Sequence, residues 1–361
     1  MKKIFYLALL SFSLFSCSDK KGDSQVSAVG LSGDMYVIMD SLQSKGPLGQ
    51  LINSIFGRDM EVLNRSEPLY KIHWVDPRKL SSTIKQRRNL IFIVTLDQNS
   101  VGANRVKGMF TKESTDKIKS DTSFFLTTST NLFAKGQEVM FLVGNNEKSL
   151  IKKIEKNATR LTDYFDKSEQ ERLTASIFKS GQMKGVTDLV HKNFDAEIRI
   201  PFGFQLVMQN KEFLWARQIN QKDDRDIFIA RRKYTSPAQF SKDSLIQYRN
   251  DICRKYLFGN PEKVDSYLVT ETNVSYKPVL ARDITFRGKY AKEMRGLWRT
   301  NNLSMGGPFV SYTFVDEAQG MLYYIEGFSY APGRVQREIM RELETILNTF
   351  RTSGELKAEA K

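Results

Sequence analysis

Cysteine and histidine are nearly missing from this sequence. Its 361 residues hold two of each, too few for a disulfide framework, a zinc finger or an iron–sulfur cluster, and no metal or cofactor is expected. Proline is scarce at nine and tryptophan at three, while 40% of residues are hydrophobic; that composition excludes a collagen-like or disordered chain. Beyond the first sixteen residues no apolar run approaches the roughly 20 residues of a membrane-spanning helix. Acidic residues fall short of basic ones, 41 against 55, for a formal charge of +14. The basic runs Arg87-Arg88, Lys152-Lys153 and Arg231-Arg232-Lys233 are short. They accompany no nucleic-acid motif and read as solvated faces, so no nucleic-acid partner is expected. Neither GxSxG nor HExxH occurs, and no glycine-rich loop follows a strand to cradle a phosphate.

What is present begins at the N-terminus. Met1-Lys2-Lys3 is a positive leader and Ile4 to Phe15 an apolar segment of twelve residues, the pattern of an export signal. Leu14-Phe15-Ser16-Cys17 resembles a bacterial lipobox, whose cysteine is acylated and becomes the first mature residue. Cys17 is therefore the expected lipid-attachment site, and its acyl chains would hold the protein to a membrane without threading it through. Ser18 follows the cysteine where an Asp is associated with inner-membrane retention, so the resemblance implies the outer membrane, with the protein facing the periplasm.

The periodicity of the rest predicts an α+β protein of two domains with mostly antiparallel sheets, each closed by an amphipathic helix. The expected divisions are a signal peptide over 1–16, Cys17 and a flexible tether over 17–31, an N-terminal domain over 32–180, a connector over 181–195, a C-terminal domain over 196–352 and a polar tail over 353–361. In the first half, apolar runs at 35–39, 69–75, 89–96, 123–127 and 138–143 predict strands. Pro47 opens a helix carrying Leu48, Leu51, Ile52 and Ile55, and Asn146 caps a long one past Phe165. In the second half, strands are predicted at 204–209, 212–219, 225–233, 266–271 and 281–288. A hairpin joins 309–315 to 321–328, and the terminal helix carries Ile339, Leu343 and Ile346 on one face.

Arg88-Asn89-Leu90-Ile91, Phe213-Leu214-Trp215, Arg295-Gly296-Leu297-Trp298, Met305-Gly306-Gly307-Pro308-Phe309-Val310-Ser311, and Glu326-Gly327-Phe328 with Tyr330-Ala331-Pro332 resemble a family of Bacteroidetes lipoproteins named only as a domain of unknown function (4837). The resemblance implies lineage and location but no reaction. More loosely, the second half looks like the small antiparallel-sheet fold of photosystem-associated and nuclear-transport accessory proteins, a likeness of fold that carries no function.

The segment from Lys292 to Phe309 is the most unusual. Gly306 and Gly307 free the backbone beside Pro308, and Arg295, Trp298 and Arg299 offer cationic and stacking contacts. These five residues form the expected ligand-binding loop. His73 and His191 read as structural, and Cys253 as a buried thiol. Glu293, Asp316, Glu317 and Glu326 cluster in sequence, where a facing pair would suit a hydrolase. The expectation is a membrane-anchored envelope lipoprotein, a non-catalytic accessory factor that binds a protein partner. Its alternatives are a glycan- or peptidoglycan-binding module and, ranked lower, a carboxylate-based envelope hydrolase.

Overall fold

A strand that is buried at nearly every position has to be covered on both faces, and the first domain is built around three of them, Asp34–Ile38, Asn89–Thr95 and Glu138–Gly144. The structure, a computed structural model, describes residues 25–359 apart from Thr122 and Pro261; the signal segment and Cys17 lie outside the described residues. Strands β1 (Asp34–Ile38), β2 (Lys71–Val75), β3 (Asn89–Thr95), β4 (Leu126–Thr130) and β5 (Glu138–Gly144) form one sheet in the order β2-β1-β3-β5-β4. β1 pairs parallel to β2 and β3, and β3 parallel to β5; only β4 runs antiparallel. The antiparallel arrangement expected of both halves therefore does not describe this sheet. The physical reason was visible in Asn89–Thr95, which is buried along its whole length. One face is covered by α1 (Pro47–Phe56), α5 (Glu147–Lys156) and α6 (Ala158–Ile177), the other by α3 (Val101–Lys107) and α4 (Lys112–Ser120), with α2 (Ser82–Lys85) a single turn before β3. The long helix predicted past Phe165 breaks at Asn157 into α5 and α6.

The second domain has the antiparallel sheet that was expected. It opens with α7 (Lys184–Phe194), whose Val186, Val190 and Phe194 are buried in the second core. The stretch 181–195 is thus part of that domain and not a connector. After β6 (Ala196–Glu197) come β7 (Gln205–Gln209), β8 (Phe213–Ile219), β9 (Asp224–Lys233), α8 (Lys242–Tyr256), β10 (Leu268–Glu271), β11 (Leu280–Phe286), β12 (Lys289–Thr300), β13 (Gly306–Asp316), β14 (Met321–Tyr330), α9 (Arg337–Leu347), β15 (Arg351–Thr352) and α10 (Ser353–Glu359). The main sheet runs β10-β12-β13-β14-β9-β8-β7, with β11 paired beside β10 along the same side of β12. Strand alternation sends Ile227 and Ile229 to the face covered by α7 and α9, and Phe228 and Ala230 to the face covered by α8. The tail expected to be merely polar forms α10, and β15 pairs with β6.

Two further boundaries move. Ala28 N–H donates to the Lys135 carbonyl and Val29 N–H to the Gln86 carbonyl, each at 2.8 Å, so the tether does not extend to residue 31; the folded body begins by Ser27. The loop 57–70 of the first domain also reaches into the second. Val62 takes a positive φ of 53°, a costly conformation for a β-branched residue, and the next side chain, Leu63, is buried among the core residues of the second domain. Four residues on, the Glu67 carboxylate accepts from the backbone N–H groups of Gln336 (2.9 Å) and Arg337 (2.7 Å). An anion of one domain thus caps the positive end of helix α9 in the other. Arg337 and Arg341 donate back to the Pro68 and Leu69 carbonyls at 2.9 and 2.8 Å.

Glu67→Ala strands two buried N–H donors at that helix end. It should lower the unfolding free energy by about 1–3 kcal/mol, read as a lower urea midpoint for the whole chain.

Candidate functional site

Strand β12 decides the fate of the expected ligand loop. Residues 289–300 are not a loop but a twelve-residue strand, and Gly306 and Gly307 open the next one, paired with Arg299 and Trp298 respectively. Alternation places Met294 and Trp298 on the α8 face; Trp298 is 2% exposed and its indole N–H donates to the Ser329 carbonyl at 3.2 Å. Arg295, three residues earlier, lies on the opposite face against α9, where it meets Glu344 at 2.6 Å. Arg299 pairs with Glu271 of β10 at 2.9 Å. A Cβ on Gly307 would meet the Ser329 carbonyl oxygen at 1.9 Å; the glycine lets backbones approach, not a ligand. The five residues therefore do not converge on one surface.

Arg295 does reach a concavity. A cleft of about 250 Å³ lies between α6 of the first domain and α9 of the second, bordered by Arg58, Glu61, Asp166, Arg282, Arg295 and Arg341. Most of its charges are already matched. Arg282 and Arg295 both hold Glu293, at 2.7 and 2.9 Å, and Arg282 also reaches Glu61 at 3.0 Å. Burial works against the Arg295 charge, but Glu344 and Glu293 outweigh it and hold its pKa well above the usual arginine value. Tyr70 donates to Asp166 at 2.6 Å, and burial lifts the Asp166 carboxyl above its ordinary value. Of these pairs, Arg282–Glu61 joins the domains.

Of the carboxylates offered by the sequence, Asp316 and Glu317 border one hollow, but Glu293 and Glu326 do not face one another. Glu293 is held on the α9 side, whereas Glu326 projects to the α8 side and is fully buried with Arg249. The Arg249 guanidinium forks onto Glu326 at 2.7 and 2.9 Å, donates to Thr270 and lies 4.0 Å over the Phe309 ring; Tyr324 donates to the same carboxylate at 2.6 Å. Burial pushes the Cys253 thiol to about 12, an inert structural sulfur. His73 sits 3.2 Å from Asp34 and stacks on Tyr36, and His191 is exposed on α7. Among the described residues no group of three or more His, Cys, Asp or Glu is placed to hold a metal.

Three features escaped the sequence reading. Asp226, buried beside Trp215 (2.8 Å) and Arg217 (3.3 Å), is pushed by burial to a pKa of about 7; its only signal was an acid in a run of strand residues. At one end of the sheet a wide hollow of about 1130 Å³ opens between the β11–β12 and β13–β14 turns, with Tyr234, Phe240 and Tyr290 along it. At the sheet's edge β7 is exposed at all five positions.

Residues 183–349 match the family model described as Domain of unknown function (DUF4837), and residues 28–178 match Domain of unknown function (DUF8532). No curated protein matches the chain. Among solved structures, the Saccharomyces cerevisiae Ran-binding protein Mog1p is 8% identical, covering 44% of this chain and 90% of its own, with a TM-score of 0.29. The lipid transfer and protein localization domain of human StarD13 is 9% identical, covering 45% and 95%, with a TM-score of 0.20.

Asp226 makes stability pH-dependent. The unfolded carboxyl titrates near 3.8 and the folded one near 7, so between these values the folded state binds the extra proton. Its contribution is whole below pH 3.8 and is lost as pH rises through 7, a loss of at most about 4 kcal/mol. Asp226→Asn should flatten that fall in unfolding midpoints measured between pH 4 and 8.

Proposed function

We propose, for a chain whose C-terminal half belongs to the family described as domain of unknown function 4837, a membrane-anchored envelope lipoprotein that acts as a non-catalytic binding factor for a protein partner. The anchor is Cys17, on the outer membrane and facing the periplasm. The lipobox-like Leu14-Phe15-Ser16-Cys17 supports it, and among the described residues no helix is long and apolar enough to cross a membrane. Nine residues, ten steps of chain, separate Cys17 from Ser27, where the body begins. At about 3.3–3.6 Å per residue they keep the body within about 35 Å of the bilayer surface.

The observation that carries the binding reading is the edge strand β7. Among the described residues it ends the eight-stranded sheet and pairs only with β8, so its outer N–H and C=O groups face solvent. Natural edges are usually guarded by charge, yet residues 200–210 carry none in a chain of net charge +14. Leu206, Val207 and Met208 are 37–48% exposed, and Phe202 and Ile219 nearby are each 66% exposed. The register shift between Leu206 and Met208 is the edge's one protective device. It restricts pairing to a short segment and discourages open-ended sheet growth. An extended, uncharged segment of a partner protein fits this edge by strand addition, with backbone hydrogen bonds supplying affinity and apolar side chains specificity.

Cys17→Ala should move the protein from the membrane to the soluble fraction with its unfolding midpoint unchanged; retention in the membrane overturns the anchor. A photo-crosslinker at position 207 of the acylated protein should trap one partner in stoichiometric yield. Val207→Lys, which places a charge on the edge, should abolish capture by a crosslinker at Gln205 while leaving membrane attachment intact; undiminished capture overturns the edge as the docking surface.

A further inference from the structure

We infer that the hollow at the end of the large sheet is a binding site for a glycan chain, separate from the β7 edge. It lies where the β11–β12 turn, the β13–β14 turn and the segment following β9 come together. With about 1130 Å³ of open space, it exceeds the roughly 300–1,000 Å³ of a small-molecule pocket and lies open rather than closed, which suits a section of a polymer. Its wall is an aromatic chain. Tyr234 meets Phe240 edge-on at 6.2 Å between centroids, and Phe240 meets Tyr290 edge-on at 5.3 Å.

Tyr290 is the informative member. It is 56% exposed, an unusual exposure for so large a ring, yet its orientation is set at both ends: Phe240 packs its ring, and its hydroxyl donates to Asp283 at 2.6 Å. A ring held in place while exposed to solvent is a platform that loses little entropy on stacking. A sugar presents the complementary surface, an apolar C–H face bordered by hydroxyls. The polar partners for those hydroxyls surround the platform. Asp316 is 3% exposed and accepts one hydrogen bond on each carboxylate oxygen, from Ala318 N–H and from the Gln319 side chain, both at 3.1 Å. Each of its oxygens thus keeps a free lone pair. Lys289 donates to Thr352 at 3.2 Å and has further donors. Gly288 turns at a φ of +80° with nothing within 4 Å of where its Cβ would stand, leaving the backbone open to a ligand. Lys289, itself 3.5 Å from Glu355, stands against Asp316 and Glu317 on the lining, so the hollow favours a neutral, hydroxyl-rich chain over a polyanion.

The test is calorimetric titration of the full-length acylated protein in detergent with chitohexaose, cellohexaose and xylohexaose, three neutral chains that share β-linkage and differ in substituents. At least one should bind saturably below millimolar concentration. Tyr290→Ala should weaken that binding about tenfold or more, the loss of one stacked ring. Tyr276→Ala, at an 82% exposed tyrosine outside the hollow, should leave it unchanged. Lys289→Ala provides a second reading should Tyr290→Ala unfold the turn. No binding by any of the three chains, or binding indifferent to both variants, overturns the proposal. Neither result touches the β7 edge, whose test reads a crosslink and not a sugar.

Discussion

Helix α9 is the element on which both domains depend. Its apolar face, Ile339, Met340, Leu343 and Ile346, is buried on the large sheet, and Gly327 of β14 permits that contact, since a Cβ there would stand 2.8 Å from Leu343 Cβ. Its first turn is capped by Glu67 of the other domain, and Arg337 and Arg341 reach that domain's backbone. One helix therefore closes the second core and carries the charges that fasten the first domain to it. Domains joined only by a linker are expected to move relative to one another. Here a buried carboxylate, a buried leucine and two arginines oppose that motion.

The same arrangement explains why the interdomain cleft is a poor place for chemistry. Arginines and carboxylates meet there, but Arg282, Arg295 and Arg341 are each engaged by a counter-charge or a carbonyl, and separating such pairs in a partly buried setting is expensive. Perturbed groups elsewhere are equally committed: Cys253 by burial, Glu326 by the Arg249 fork, Asp226 by Trp215 and Arg217. Free interaction capacity is left at the margins of the large sheet, on the unpaired side of β7 and in the hollow beyond the β11–β12 and β13–β14 turns. With an anchor at Cys17, two such surfaces would let the body engage a protein at one margin and a glycan at the other.

The expected ligand loop shows how local reading fails. Arg295, Trp298, Arg299, Gly306 and Gly307 are close in sequence and their residue types suit recognition. Once 289–300 is a strand, period-two alternation separates Trp298 from both arginines by the thickness of the sheet. The clue was Tyr290-Ala291-Lys292-Glu293-Met294-Arg295, where alternation is obscured by Glu293 and Arg295. Their charges are satisfied by Arg282 and Glu344, partners 11 and 49 residues away, and no window of sequence shows them.

By itself the sequence determined the α+β class, the division into two domains, most strands, and helices α1 and α9, because caps and apolar periodicity act over a few residues and need no partner. It also determined the burial of Cys253. Tertiary structure decided the rest. It made the first sheet largely parallel, since strand direction depends on which helices cross over which face. It recruited Lys184–Phe194 into the second core and drew Leu63 and Glu67 across the domain boundary. The hollow and the bare edge of β7 belong to the same class of fact: each is a surface left after distant segments have packed, and what remains uncovered is settled only when everything else has found its place.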